Sequence, residues 1–174
     1  MTEVKLLKYP NDQDWLFVKR CAFATIGKDT DTVPSMAWRK AMLNARHSPI
    51  RELTFAFELT DVPYWVAMHL VRHHVGCQPY VQTQRNDRQT KYDRNSAPQS
   101  APVNMIWTMN AEALMTIANK RLCRCTAEET REVVEEMCDL VRWHCPEFKD
   151  ELVPACVYAG ICHEMNCCGL VDTL

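Results

Sequence analysis

The sequence has no apolar run long enough to cross a membrane. A membrane-spanning helix needs about 20 consecutive, mostly apolar residues, and no uninterrupted apolar stretch approaches that length. The first fifteen residues mix five charged side chains with apolar ones, so they lack the continuous apolar segment of a secretory signal peptide. We therefore expect a cytoplasmic protein without a membrane partner.

An excess of charge of one sign is also lacking. The 174 residues carry a net charge of −2, so no overall positive field draws the protein onto nucleic acid, which is not the expected partner. The motifs G-x-G-x-x-G, P-loop, G-x-S-x-G and H-E-x-x-H are absent, so a Rossmann-type dinucleotide site is not supported. The composition, with 47% hydrophobic and 24% charged residues, is that of an ordinary globular domain.

Cysteine, in contrast, is abundant, with ten residues that are not spaced like a secreted disulfide framework. Five are scattered and are expected to be small buried hydrophobes: Cys21, Cys77, Cys123, Cys125 and Cys138. Four others near the C-terminus follow the spacing C-x5-C-H-x3-C-C, which indicates a zinc site without the usual C-x2-C pairs. The predicted ligands are Cys156, Cys162, His163 and Cys167, with Cys168 beside them. Packing of buried thiols is the alternative.

Hydrophobic periodicity predicts an α+β fold, in which helices pack on an antiparallel sheet. The predicted helices are 12–26, 34–45, 61–74, 104–124 and one that opens with a capping box at Thr126 and ends at Pro146; the predicted strand is 52–60. Trp15, Val18, Ala22 and Ile26 are expected on the buried face of the first helix, and Val133, Val134, Met137 and Val141 on that of the last. Residues 77–103 are expected to form a loop or a short irregular strand. We expect one domain at 1–152, followed by a cysteine-rich tail at 153–174.

Three groups of polar residues are candidates for chemistry. On the helix predicted at 61–74, His69, Arg72 and His73 are spaced to share one face. Burying three basic groups unpaired would cost several kcal/mol, which favours an anionic ligand, although ion pairs or a solvated face are alternatives. The second group is the arginine-rich stretch Gln82–Arg88, whose guanidinium groups suit phosphate. It belongs to a loop that carries Arg85, Arg88, Lys91 and Arg94, and a solvated loop is the alternative. The third is the pair Asn110 and Arg121, placed on one face of the helix predicted at 104–124 and suited to a nucleobase or flavin ring, with ordinary surface polarity as the alternative.

Several segments resemble the signature of the flavin-dependent thymidylate synthases, which reads R-H-R-x-x-S-x-N-E-x-S-x-R-Y. Those segments are Cys21–Thr25, Arg46–Pro49, Phe55–Phe57, Leu70–His74, Gln82–Arg85 and Trp107–Ala111, followed by Arg121 eleven positions after Asn110. The resemblance covers about Val18 to Cys145. The sequence departs from the signature in having His74 in place of arginine and Thr83 in place of serine, and it lacks the N-E pair.

The resemblance implies roles for particular residues. Nucleotide contacts are implied for His69, Arg72, Thr83, Arg85 and Arg121, and flavin contacts for Thr25, Ser48, Arg72, His73, His74 and Asn110. Arg121 is implied to be catalytic, because it would bind and polarise the uracil ring.

The resemblance also implies the reaction, the methylation of dUMP to dTMP with FAD, methylenetetrahydrofolate and NADPH in a homotetramer. Two alternatives stay open: a related flavin enzyme that acts on another uracil nucleotide such as UMP, and a non-enzymatic nucleotide- or nucleic-acid-binding protein that uses the arginine-rich loop and a zinc-bound tail.

Overall fold

The computed structural model describes residues 2–88 and 93–173, so Lys91 of the arginine-rich loop lies outside the described residues. Four antiparallel strands form one sheet in the order β1-β2-β4-β3. The strands are β1 (Glu3–Lys8), β2 (Thr54–Pro63), β3 (Cys77–Val81) and β4 (Pro102–Asn110). The helices are α1 (Asp12–Ala24), α2 (Met36–Asn44), α3 (Tyr64–Leu70), α4 (Ala111–Arg121), α5 (Glu128–His144) and α6 (Ala155–Ala159). Short 3-10 helices lie at Ser48–Glu52, Pro146–Phe148 and Val171–Thr173. The predicted α+β class is confirmed.

Strand β2 is longer than the predicted strand at 52–60. Phe55, Phe57 and Leu59 are fully buried, as the alternation indicates, but the strand continues through an irregularity between Leu59 and Val62 to Pro63. Asp61 has a positive φ of 56° there, and its N–H donates to the side chain of Asn104 at 3.0 Å. The prediction that Asp61 opens a helix is therefore wrong, because α3 begins at Tyr64.

The helix predicted at 104–124 is wrong in its first part. Residues 102–110 form β4, in which Val103, Met105, Trp107 and Met109 are buried while alternate residues are more exposed. This alternation is the signal of a half-buried strand. The chain turns at Asn110, whose Oδ1 accepts a hydrogen bond from the N–H of Ala113 at 2.9 Å and so caps α4.

The ends of the other helices depart from the prediction in smaller ways. Helix α1 ends at Ala24, and Ile26 is exposed rather than on the buried face. The capping box predicted at Thr126 is wrong: the hydroxyl donates to the carbonyl of Lys120 at 3.2 Å, while Ala127 occupies the cap position of α5. The predicted buried stripe of α5 is confirmed, because Val133, Val134, Met137 and Val141 are all buried. Strand β1 was not predicted.

The C-terminal segment lies against α4. Asn119 of α4 donates through Nδ2 to the carbonyls of Glu151 and Val153 at 3.3 and 2.7 Å. Cys156 is buried, and the guanidinium of Arg46 lies 5.0 Å from the ring centroid of Tyr158. The domain boundary at 152 stays a prediction. Within residues 2–88 and 93–173, no helix has both the length and the apolar character that crossing a bilayer requires.

A buried carboxylate ties α1 to the segment that follows α5. Trp15 is fully buried, and its indole Nε1–H donates to Oε1 of Glu147 at 2.7 Å. The Nη1 of Arg39 from α2 lies 3.7 Å from the same oxygen. Glu147 is itself only 4% exposed, so its charge is compensated inside the protein by Arg39. Three segments that are distant in sequence therefore meet at one carboxylate.

We predict that Glu147→Ala lowers the free energy of unfolding by about 1–3 kcal/mol, the cost of leaving a buried donor such as the Trp15 indole without an acceptor. Urea denaturation followed by tryptophan fluorescence measures the loss. Glu147→Gln is the matched control, because it keeps a carbonyl acceptor for Trp15 and should lose less. Equal losses in the two variants would assign the effect to the charge that faces Arg39 instead.

Candidate functional site

The basic residues after α3 lie in a turn, not on a helix. Helix α3 ends at Leu70, and the backbone N–H of His73 donates to the carbonyl of Leu70 at 3.0 Å. The prediction that His69, Arg72 and His73 share one helix face is therefore wrong. The turn separates their side chains, so that Arg72 and His73 leave the helix while His69 stays on it.

The turn is joined to the start of α4 by a close contact between Gly76 and Asn110. The backbone N–H of Asn110 donates to the carbonyl of Gly76 at 2.9 Å. Gly76 has a φ of +71°, and a Cβ added there would lie 2.7 Å from the side-chain nitrogen of Asn110. Glycine is required at this position because it alone combines the left-handed backbone with space for the amide.

A cavity of about 640 Å³ opens beside this contact. Four residues that the sequence predicted as flavin contacts line it together: Arg72, His73, His74 and Asn110. Its other lining residues include Arg46, Arg51, Gly76, Cys77, Glu112 and Thr116. The volume lies within the range of about 300–1,000 Å³ found for small-molecule sites. The structure therefore brings a helix-end turn and a strand-to-helix junction into one pocket.

The cavity carries an excess of positive charge. Arg51 pairs with Glu112 through two hydrogen bonds of 2.6 and 3.2 Å, and Arg46 donates to Oδ1 of Asn119 at 2.7 Å. The Arg72 side chain has no hydrogen bond or carboxylate partner among the residues that the structure describes, while its backbone carbonyl lies 3.1 Å from Nδ1 of His74. A guanidinium without a counter-ion at the wall of a pocket favours a bound anion, such as phosphate.

Sequence reasoning missed the roles of Arg46, Arg51 and Glu112 in this cavity. Arg46 belongs to the Arg46–Pro49 segment on which the family resemblance partly rests, and that segment was the available signal. Arg51 and Glu112 are paired across the space between the 3-10 helix at Ser48–Glu52 and the first turn of α4. No local pattern marks such a pair, because its two members are distant in sequence.

Arg121 lies in an adjoining cavity of about 510 Å³, which shares His73 and Thr116 with the first. The Nε–H of Arg121 donates to Nε2 of His73 at 2.8 Å, and its Nη2 donates to the backbone carbonyl of His69 at 3.1 Å. Since arginine has no acceptor, His73 must present an unprotonated Nε2 to it. Burial, and then the charges of Arg121, Arg72 and His74, lower the pKa of His73 to about 4.

His69 faces away from this group. Its Nδ1 lies 3.4 Å from the hydroxyl of the buried Thr130, and its ring meets the ring of Trp65 edge-on at 5.3 Å. Only its backbone carbonyl reaches Arg121. In this chain the implied nucleotide contact of the His69 side chain stays a prediction.

The other residues implied by the resemblance do not line the two cavities. The Thr25 hydroxyl donates to the carbonyl of Ala22 at 2.7 Å, at the end of α1, and Ser48 is exposed at the start of its 3-10 helix. Thr83 accepts from the backbone N–H of Arg85 at 3.2 Å. Arg85 is exposed and forms two hydrogen bonds to Asp87, of 2.9 and 2.7 Å. Their implied contacts with flavin and nucleotide stay predictions.

The cysteines are arranged differently from the predicted zinc set. Cys156 is buried in α6, whereas Cys162, His163 and Cys167 follow the left-handed Gly160 on a more exposed segment. Among the described residues these four do not form a group with ligand atoms close enough for one ion. The group that the structure does bring together is Cys123, Cys125 and Cys168, of which two were expected to be scattered core residues.

We predict that Gly76→Ala destabilises the protein more than Gly27→Ala. Both glycines have left-handed φ angles, +71° and +66°, but a Cβ at Gly27 meets nothing within 4 Å. Each variant carries the backbone strain of about 1–2 kcal/mol, and only Gly76→Ala adds the collision with Asn110. The midpoints of chemical denaturation measure the difference. Equal midpoints would mean that the Asn110 side chain moves away at no cost.

We predict that His73 makes folding stability fall as the pH falls from about 6.5 to about 4. The pKa of His73 is about 4 in the folded chain and about 6.5 in an unfolded one, so the unfolded state binds more protons in this interval. Unfolding free energies of the wild type and of His73→Gln, measured across it, check the prediction. The wild type should lose more stability than the variant, and parallel curves would contradict the assigned pKa.

Comparison with known protein families finds a match over about one third of the chain. Residues 89–147 match the family model described as thymidylate synthase complementing protein. That segment includes Asn110 and Arg121. It begins at residue 89, after the Arg72–His74 turn, and so does not include that turn. No curated protein matches the sequence.

Two solved structures share the fold. The UMP/dUMP methylase PolB from Streptomyces cacaoi, bound with 5-Br dUMP, is similar with a TM-score of 0.68 and 16% identity over 87% of this chain and 94% of that one. Thymidylate Synthase X (ThyX) from Helicobacter pylori, with FAD and dUMP, has a TM-score of 0.71 and 14% identity over 87% and 99% of the two chains. Residues 89–147 are therefore similar to the thymidylate synthase complementing protein family, and the chain shares the fold of PolB and ThyX.

Proposed function

We propose that this protein is a flavin-dependent methylase that converts dUMP to dTMP. One observation carries the proposal: Arg72, His73, His74 and Asn110, taken from two segments of the sequence, line one cavity, and His73 accepts a hydrogen bond from Arg121 in the next. FAD would occupy the first cavity, and the uracil of the nucleotide would lie against Arg121. The similar fold of ThyX, whose structure holds FAD and dUMP, supports the proposal.

The residues of the first cavity fit FAD. Arg72 offers a guanidinium without a carboxylate partner in the described residues, which suits the pyrophosphate of the cofactor. Gly76 lines the cavity and has no side chain that could extend into it. The Asn110 side chain uses its Oδ1 to cap α4, and no described residue accepts a hydrogen bond from its Nδ2.

Bound flavin would supply hydride-transfer chemistry, and the chain's own residues would bind and orient the reactants. Arg121 uses its Nε and one Nη2 hydrogen internally, which leaves three of its five N–H groups for a ligand. Its positive charge is positioned in advance, because His73 and the carbonyl of His69 hold the guanidinium. Such a fixed cation stabilises negative charge that develops on a uracil ring during methylene transfer.

His73 serves this arrangement as a neutral acceptor. A protonated His73 would present an N–H to the Arg121 guanidinium and lose the hydrogen bond at 2.8 Å. The depressed pKa, about 4, keeps the ring neutral near pH 7. We propose that Arg121 is the catalytic residue and that His73 holds it while lining the flavin cavity.

Several predicted contacts lie apart from this site within one chain. Arg85 is engaged with Asp87, and Thr25 and Ser48 line neither cavity. We propose that copies of the chain assemble as a homotetramer and complete the site together, so that Arg85 exchanges Asp87 for the nucleotide phosphate. Methylenetetrahydrofolate would supply the one-carbon unit and NADPH the reducing equivalents.

UMP is a second candidate substrate. The fold is shared with a protein described as a UMP/dUMP methylase, PolB, and the two nucleotides differ only at the ribose 2′-hydroxyl. The residues that hold the uracil would be the same for both. Parallel turnover assays with dUMP and UMP distinguish the two substrates by their ratio of kcat/KM.

We predict that Arg121→Ala lowers turnover by at least about 100-fold, the effect of removing one fixed donor to a developing charge, while FAD stays bound.

Arg72→Ala should weaken FAD binding by about 10-fold or more, because hydrogen bonds to charged groups contribute about 1.5–3 kcal/mol. Flavin absorbance after gel filtration and its change on dUMP addition measure binding, and tritium release or dTMP formation measures turnover.

The matched control is Arg20→Ala, which removes an exposed arginine that pairs with Asp31 on the far segment after α1. It should leave both measurements unchanged. Loss of FAD from Arg121→Ala with intact folding would show that Arg121 holds the cofactor rather than the uracil. A wild-type protein that binds no flavin would reject the proposed function.

A further inference from the structure

Three thiols converge beside the end of α4. Cys123 and Cys125 belong to the loop between α4 and α5, and Cys168 comes from the C-terminal segment. Their sulfur atoms all lie within 4.8 Å of one another. All three are free thiols. In residues 2–88 and 93–173, no other group of three or more His, Cys, Asp or Glu side chains brings its ligand atoms this close.

The spacing suits a thiophilic metal ion. Zinc–sulfur bonds of about 2.3 Å in a tetrahedron place two sulfur atoms roughly 3.8 Å apart. The three thiols are therefore within about 1 Å of coordination distance, which small rotations of their side chains can close. Thiolates favour zinc over the hard cations that prefer oxygen.

Backbone groups hold the cluster in place. The N–H of Cys125 donates to the sulfur of Cys123 at 3.5 Å, and the thiol of Cys125 lies 3.5 Å from the carbonyl of Asn166. The second contact joins the loop to the C-terminal segment just ahead of Cys168. N–H groups that point at sulfur stabilise a coordinated thiolate, as the second shell of a metal site does.

The cluster is also accessible. Cys123 is buried, Cys125 is exposed and Cys168 is half-buried, so one side of the group is open to solvent. An entry path is required of any site that loads after folding. Cys123 and Cys125 line the same cavity as Arg121 and His73, so an ion here would lie at the edge of the site already described.

We propose that Cys123, Cys125 and Cys168 bind one Zn²⁺ ion, which fastens the C-terminal segment to the end of α4. The fourth coordination position faces solvent and is filled by water. This zinc site differs from the one that the sequence indicated, because it takes two ligands from the loop after α4 and a single ligand from the tail. It does not depend on the identity of the flavin or the nucleotide.

The neighbouring cysteine provides a matched control. Cys167 precedes Cys168 directly but lies outside the cluster, and its sulfur accepts from the N–H of Gly169 at 3.4 Å. Cys167→Ser therefore makes the same exchange of sulfur for oxygen in the same segment without removing a proposed ligand. If the cluster coordinates the ion, Cys168→Ser should lose metal binding, whereas Cys167→Ser should keep it.

The test uses the full chain, kept reduced with a phosphine, supplied with zinc and then desalted. Inductively coupled plasma mass spectrometry should find about one zinc per chain in the wild type and in Cys167→Ser. Cys125→Ser and Cys168→Ser should lose zinc affinity by more than about 100-fold, since changes in the second shell alone cost 10–100-fold. Circular dichroism verifies that each variant is folded.

Cobalt substitution provides a second measurement that needs no variant. Co²⁺ in the wild-type chain should show tetrahedral d–d bands and thiolate charge-transfer absorption of an intensity that corresponds to three sulfur ligands. A wild-type chain that binds neither zinc nor cobalt would overturn the proposal. So would zinc that persists in folded Cys125→Ser and Cys168→Ser but is lost in Cys167→Ser, because the ion would then belong to the tail alone.

Discussion

The contact between Gly76 and Asn110 is the constraint on which the candidate site depends. It joins the turn after α3 to the point where β4 becomes α4, through a backbone hydrogen bond and a side chain that leaves no room for a Cβ. The same Asn110 side chain caps α4, so the direction of the helix that ends with Arg121 follows from this junction. A change at either residue would therefore move both walls of the cavity at once.

The arginines of the site differ in how their positive charge is compensated. Arg51 is neutralised by Glu112, and Arg121 is held by a neutral imidazole rather than by a carboxylate. Arg72, Arg121 and His73 lie close enough for the two guanidinium groups to lower the pKa of the imidazole. Accumulating cations without acids costs folding stability, and a bound phosphate-bearing ligand would offset that cost.

The cysteine cluster is also formed by segments that are distant in sequence. The tail contributes Cys168 to a pair from the loop after α4, close to the cavity that holds Arg121. Packing of the tail against α4, seen also in the hydrogen bonds from Asn119 to Glu151 and Val153, is what brings them together. A zinc ion would strengthen an arrangement that the backbone already supports.

The sequence alone determined the α+β class, the buried stripe of α5 and the identity of four residues that line the cavity, because periodicity and short motifs are local properties of the chain. It misassigned 104–110, where alternating Val103, Met105, Trp107 and Met109 form a strand that precedes the helix. Only the tertiary structure decided that His69 turns toward Thr130, that Arg51 meets Glu112 and that Cys168 joins Cys123. Each of these is a contact between segments far apart in sequence, and only the packing of the helices and the sheet brings such segments together.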